Sequence, residues 1–139
     1  AKKLFEVANS IEPNNVEILN SLALTELGLY NFQEAINILQ RVMVIDSSIL
    51  KTYVNLGYCY NSNSDYKKAI STFKTGLKYV KNDFEKGTIL FNVAVSLYRM
   101  NKCADAIETA ELAKEYLNSK EYNNRINAFL EEVNINCKE

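Results

Sequence analysis

Alanine stands at positions 35 and 69, 34 residues apart, and each occupies the same place in the same pattern of apolar residues. Around the first, the pattern is Phe32, Ala35, Ile36, Leu39 and Val42; around the second it is Tyr66, Ala69, Ile70, Phe73, Leu77 and Val80. Spacings of three and four put each set on one face of an α-helix, and no segment alternates with the period of a strand. A second stripe precedes each: Leu19, Leu22 and Ala23 in one case, and Tyr53, Leu56, Gly57 and Tyr60 in the other. Short polar turns, at Asn31 and in NSNSD at 61–65, separate the stripes, and Asp65 is placed to cap the helix that follows by accepting its free amide hydrogens. The unit is therefore a pair of antiparallel helices, repeated.

A third copy runs through Leu90, Val93, Ala94 and Leu97, turns at Asn101, and continues with Cys103, Ala106, Ile107, Ala110 and Ala113. Ala106 follows Ala69 by 37 residues, so three residues are added around Asp83 to Lys86, as an inserted loop or as an extra turn on the next helix. A fixed period in this range marks a solenoid, in which each pair covers its neighbour's otherwise exposed apolar face. The small residues then have a reason. Gly57 costs about 1 kcal/mol relative to Ala as helix propensity, a loss that makes sense where a neighbouring helix must approach the backbone closely. Ala23, Gly57 and Ala94 on the first helices, with Ala35, Ala69 and Ala106 on the second, are the expected contact points, and Phe32, Tyr66 and Phe73 fill the spaces between.

A chain of 139 residues suits one domain with a real core, without staples. The net charge of −1, with Lys and Glu interspersed, gives no attraction to nucleic acid or to an anionic membrane. No apolar run is long enough to cross a bilayer, and AKKLFEVANS lacks the apolar middle of a signal peptide. The expectation is a cytoplasmic protein, or an exported one whose leader lies upstream. Cys59, Cys103 and Cys137 are odd in number and far apart, without a CxxC pair, and are expected to be reduced structural thiols.

The sequence contains no histidine, which removes the commonest general base, and no GxSxG, GxxxxGK or GxGxxG. No catalytic residue, cofactor site or metal site is assigned. Glu108 and Glu111, three apart, read as a solvated helix face rather than an acid–base pair. Lys67, Lys68, Lys74, Lys78 and Lys81 concentrate positive charge without an aromatic stacking platform, and read as a solvated outer surface rather than an RNA site.

At these positions the chain resembles the tetratricopeptide repeat family, whose unit places aromatic, Leu, Gly, Tyr, Ala, aromatic and Ala at set positions. Residues 50–83 match with Tyr53, Leu56, Gly57, Tyr60, Tyr66, Ala69 and Phe73, and with Gly76 where a small residue is usual. The copy at 16–49 keeps Leu19, Leu22, Ala23, Phe32, Ala35 and Leu39 but has Glu26 where an aromatic is common. The third copy has Cys103 and Ala110 at the two large positions of its second helix. Counting back, Ala1, Phe5, Ala8 and Pro13 fall on the second helix of an earlier unit, so the chain starts in mid-repeat. Ile126, Phe129, Leu130 and Val133 form the apolar stripe of a terminal helix that resembles the solvating cap of such arrays.

The resemblance implies an all-α fold: a right-handed α-α superhelix of about eight antiparallel-paired helices in a single domain. Its parts would be a partial repeat at 1–15, repeats at 16–49, 50–83 and 84–120, and a capping helix at 121–139. It also implies a concave groove lined by the first helix of each pair, with inward residues Asn20, Ser21, Leu24 and Leu27, then Lys51, Val54, Asn55, Tyr58 and Asn61, then Thr88, Phe91, Asn92, Val95, Tyr98 and Arg99. Leu24, Val54, Phe91 and Val95 would leave apolar surface there, as a peptide or helix site does. Asn55 and Asn92 share a position at which some members hold an extended peptide's backbone through the amide, although Asn is also simply common there. The slots of the clamp that grips the C-terminal carboxylate of heat-shock chaperones hold Asn20, Leu24, Thr88 and Asn92, and only Asn55 agrees with it. The expected function is a non-catalytic module that binds a peptide segment or a partner helix. The alternatives are self-association through the groove or the open edge at 1–12, and a chaperone of secreted proteins, since three units and a terminal helix resemble the small chaperones that hold translocators before export.

Overall fold

The computed structural model describes residues 2–137, which form two compact units divided between Asp65 and Tyr66. Ala1 and the last two residues of the expected capping segment lie outside the described residues. The first unit holds α1 (Lys2–Ile11), α2 (Val16–Gly28), α3 (Phe32–Ile45) and α4 (Leu50–Ser62). The second holds α5 (Tyr66–Gly76), a 3-10 turn (Leu77–Tyr79), α6 (Asp83–Arg99), α7 (Cys103–Tyr116) and α8 (Lys120–Asn136). Among the described residues there is no strand.

The turn that closes each first helix is the same hydrogen-bonded device three times over. Tyr30, Ser64 and Asn101 adopt left-handed backbone, with φ of 64°, 59° and 62°. The next amide in each case, Asn31, Asp65 or Lys102, reaches back to the carbonyl of Glu26, Tyr60 or Leu97 at 2.8–2.9 Å. The left-handed residues' own amides bond to Leu27, Asn61 and Tyr98 at 2.9–3.0 Å. This is a Schellman closure, which satisfies the last free carbonyls of a helix and folds the chain back sharply. At the other ends, Asn15 and Asn82 cap α2 and α6 by accepting from the amides of Ile18 and Glu85. α6 takes up the three added residues and one more, with 17 residues where α2 and α4 have 13.

The core of the first unit is aliphatic. Leu19, Leu22 and Ala23 of α2 pack with Ala35, Ile36, Ile38, Leu39 and Val42 of α3 and with Leu56 and Cys59 of α4, and Phe5 of α1 packs against them. The second unit is built differently. Ala106, Ala110 and Ala113 are fully buried on α7, and the bulk around them comes from Leu90, Leu117 and the α8 residues Ile126, Phe129, Leu130 and Val133. The slot that holds Leu39 on α3 and Phe73 on α5 holds Ala110 on α7, so α8 supplies volume that α7 lacks.

The extra turn of α6 is itself packed. A Cβ on Gly87 would come within 2.5 Å of Leu117 Cγ and 3.0 Å of Tyr116 Cβ. Lys86 Nζ lies 4.5 Å from the centre of the Tyr116 ring, and Phe84 meets Tyr122 edge-on at 5.4 Å.

One expectation fails here. Cys103, the first residue of α7, and Cys137, just past α8, are joined by a disulfide with Cα atoms 6.1 Å apart, so these two are not reduced thiols. Cys59 is free and 1% exposed, and burial pushes its thiol up to about 11, which makes it a small apolar core residue.

Candidate functional site

In the first unit the candidate residues lie on α2 and α4. Asn20 is buried, and its amide nitrogen lies 3.4 Å from Thr52 Oγ1, so it bridges α2 to α4. Leu24 and Tyr58 are exposed, while Val54 and Asn61 are half-buried. Asn55 is the exception among them. It is only 5% exposed, and its Nδ2 has no hydrogen-bond partner in the protein. A buried amide donor left unpaired costs about 1–3 kcal/mol.

In the second unit the candidates lie on α6, and α8 engages several of them. Phe91 and Tyr98 are half-buried, with rings edge-on to Phe129 at centroid distances of 5.4 and 5.7 Å. Asn136 Nδ2 donates to Tyr98 Oη at 2.8 Å. Val95 also packs against the core that α8 completes. Asn92 is half-buried and its carbonyl accepts from Ser96 Oγ at 3.1 Å; Arg99 is exposed. The terminal helix is thus a partner of α6 and not only a solvating cover.

Glu26 has a role that the sequence reading missed. It is 3% exposed, and its carboxylate accepts from Lys2 Nζ and from Asn31 Nδ2, both at 2.8 Å. The Lys2 ammonium, aided by Asn31, holds the Glu26 carboxyl below the ordinary carboxylate range against the opposing effect of burial, and Glu26 in turn raises Lys2. Its signal in the sequence was a charged residue at a slot where the family commonly has an aromatic. Among the described residues, no group of three or more cysteine, aspartate or glutamate side chains is placed to hold a metal ion, and no helix is long and apolar enough to cross a membrane.

Residues 50–83 match the sequence pattern of the tetratricopeptide repeat family. Among curated proteins no sequence matches the chain. Solved structures do. The type III secretion chaperone SycD of Yersinia enterocolitica, in complex with a peptide of the translocator YopD, is 24% identical with a TM-score of 0.76, over 88% of this chain and 94% of that one. PcrH, in complex with the chaperone binding region of PopD, is 19% identical with a TM-score of 0.75, over 88% and 92%. YrrB, described as a TPR protein with an unusual peptide-binding site, is 19% identical with a TM-score of 0.69, over 84% and 59%. The chain has the all-α fold of these proteins.

Proposed function

We propose that this chain, whose residues 50–83 match the tetratricopeptide repeat pattern, is a non-catalytic interaction module that holds an extended peptide segment of a partner protein against α2 and α4. The observation that carries the reading is the unpaired Nδ2 of buried Asn55. A peptide's backbone carbonyl is the acceptor that such a donor lacks, and its side chains would lie on the exposed apolar surface of Leu24 and Tyr58. On α6, Asn92 and Arg99 are the corresponding polar candidates, and Val95, Phe91 and Tyr98 the apolar ones. Similarity to the chaperone SycD in complex with a translocator peptide, and to PcrH in complex with the chaperone binding region of PopD, supports a peptide ligand and, more narrowly, a chaperone of secreted proteins.

The test replaces Asn55 by Leu, which keeps the volume and removes the donor. A displayed library of unstructured 12-residue peptides is selected on the wild-type chain, and the selected peptides are titrated against both proteins. Binding is expected to weaken at least tenfold, while the melting temperature stays level or rises because a buried orphan has gone. Undiminished affinity in Asn55→Leu would overturn the reading.

A second reading, self-association, is favoured by a separate observation. Leu4, Val7 and Ile11 form one stripe along α1 and are 75%, 53% and 75% exposed. If a second copy covers this stripe, light scattering at rising concentration shows a dimer that Val7→Asp abolishes; a monomer at all concentrations removes the reading.

A further inference from the structure

The second unit contains a trough that the peptide reading does not use. Its floor is apolar: Leu77 follows α5, Leu90, Val93 and Leu97 come from α6, and Leu112 comes from α7, around a cavity of about 310 Å³. Leu90 and Val93 are buried, whereas Leu112 is 41% exposed at the rim. The two banks carry opposite charge. Lys74 lines the α5 side, continued along that helix and the turn after it by exposed Lys67 and Lys78 at helical spacing. Asp105 and Glu108 line the α7 side, continued along that helix by exposed Glu115. Thr109 spends its hydroxyl on the Asp105 carbonyl at 2.8 Å. Among the described residues Lys74, Asp105 and Glu108 form no ion pair, so the banks do not neutralise each other.

An apolar floor between unlike banks selects a particular ligand. A helix with one apolar stripe presents anchors at i, i+3, i+4 and i+7, and its two flanks lie over the two banks. Carboxylates on the flank facing Lys74 and cations on the flank facing Asp105 and Glu108 are complementary; like charges on either flank repel. Turning such a helix end for end exchanges its flanks, so charge also fixes the direction in which it runs. We infer that the trough between α5 and α7 docks an amphipathic helix of a partner protein, acidic along one flank of its apolar stripe and basic along the other. This site stands apart from the Asn55 reading, and either can fail alone.

Three synthetic 16-residue helical peptides with the same leucine stripe test it on the full chain by fluorescence anisotropy at low salt. One carries Glu on one flank and Lys on the other, one carries Glu on both, and one Lys on both. The split peptide is expected to bind at least tenfold tighter than the other two, with the margin shrinking as salt rises. The double variant Asp105→Lys/Glu108→Lys makes both banks positive and is expected to bring the all-Glu peptide to the top of the order. Leu112→Asp is expected to weaken all three at least tenfold. These three positions are exposed, and circular dichroism checks that each variant keeps its helix content. Equal binding of the three peptides, or an order that the charge reversal leaves intact, overturns the inference. So does a change in the sedimentation of the peptide-free chain on charge reversal, which would make the occupant a second copy.

Discussion

The two units solve the same packing problem with opposite means. In the first, large aliphatic residues come from both α2 and α3, and two buried polar side chains find partners within the unit, Glu26 in Lys2 and Asn31, and Asn20 in Thr52, while the Asn55 donor is left over. In the second, α7 presents three buried alanines, and the bulk arrives from α8, which is also tied to α7 by a covalent bond. Small side chains let backbones come close, but a core still needs volume, and whichever element supplies it becomes indispensable. In the second unit that element is the last helix.

The comparison breaks most readily at Phe129. If α8 supplies the volume, Phe129→Ala is expected to cost about 3–5 kcal/mol, read as a lower urea midpoint at unchanged slope, and the near-ultraviolet signal of the tyrosines should weaken with it. A loss below 1 kcal/mol would mean that α7 and α6 pack adequately without it. Next in size is the covalent tie. Reduction, or Cys137→Ser, is expected to remove about 2–4 kcal/mol; urea curves with and without a dithiol should differ for the wild type and coincide for the variant.

Gly87 sharpens the contrast further. Alanine would gain about 1 kcal/mol of helix propensity but must displace buried Leu117, an overpacking cost of about 1–3 kcal/mol, so a net loss of about 1 kcal/mol is expected. Gly28 is the internal control, since a Cβ there meets nothing within 4 Å. The smallest effect belongs to the ion pair of the first unit, where Lys2 is partly exposed and solvent screens it. Glu26 has a depressed folded pKa, so its contribution is full above the ordinary carboxylate value of 4.5 and is lost as pH falls through the folded value. Lys2 has a raised one, so its contribution is full below 10.5 and is lost as pH rises through the folded value. Glu26→Gln is therefore expected to flatten the acid side of a plot of melting temperature against pH, and an unchanged slope would show the pair to be idle.

What could be read from the sequence was whatever repeats. Spacing located the helices, and the small slots Ala23 with Ala35 and Ala94 with Ala106 are buried in the cores of their own units. The 37-residue interval correctly offered an extra turn, now seen at the start of α6. What could not be read depends on single pairings between distant residues. Nothing local to Cys103 points to Cys137, nothing local to Glu26 points to Lys2, and the need for glycine at 87 exists only because Leu117 comes to rest against it. Tyr30 hid its left-handed backbone because tyrosine is a rare choice there, while Asn101 at the equivalent place is a common one. Among the candidate binding residues, chain position alone could not separate Asn55, whose donor is unspent, from Tyr98, whose hydroxyl is already taken by α8.

The bond between Cys103 and Cys137 closes residues 103–137 into a ring that contains all of α7 and α8. A terminal helix that comes loose inside such a ring has nowhere to go: it stays within a short tether of its seat, and its return is a first-order event at high effective concentration. A protease that cuts at exposed Lys120, in the middle of the ring, would leave two fragments that still travel as one molecule until a thiol arrives.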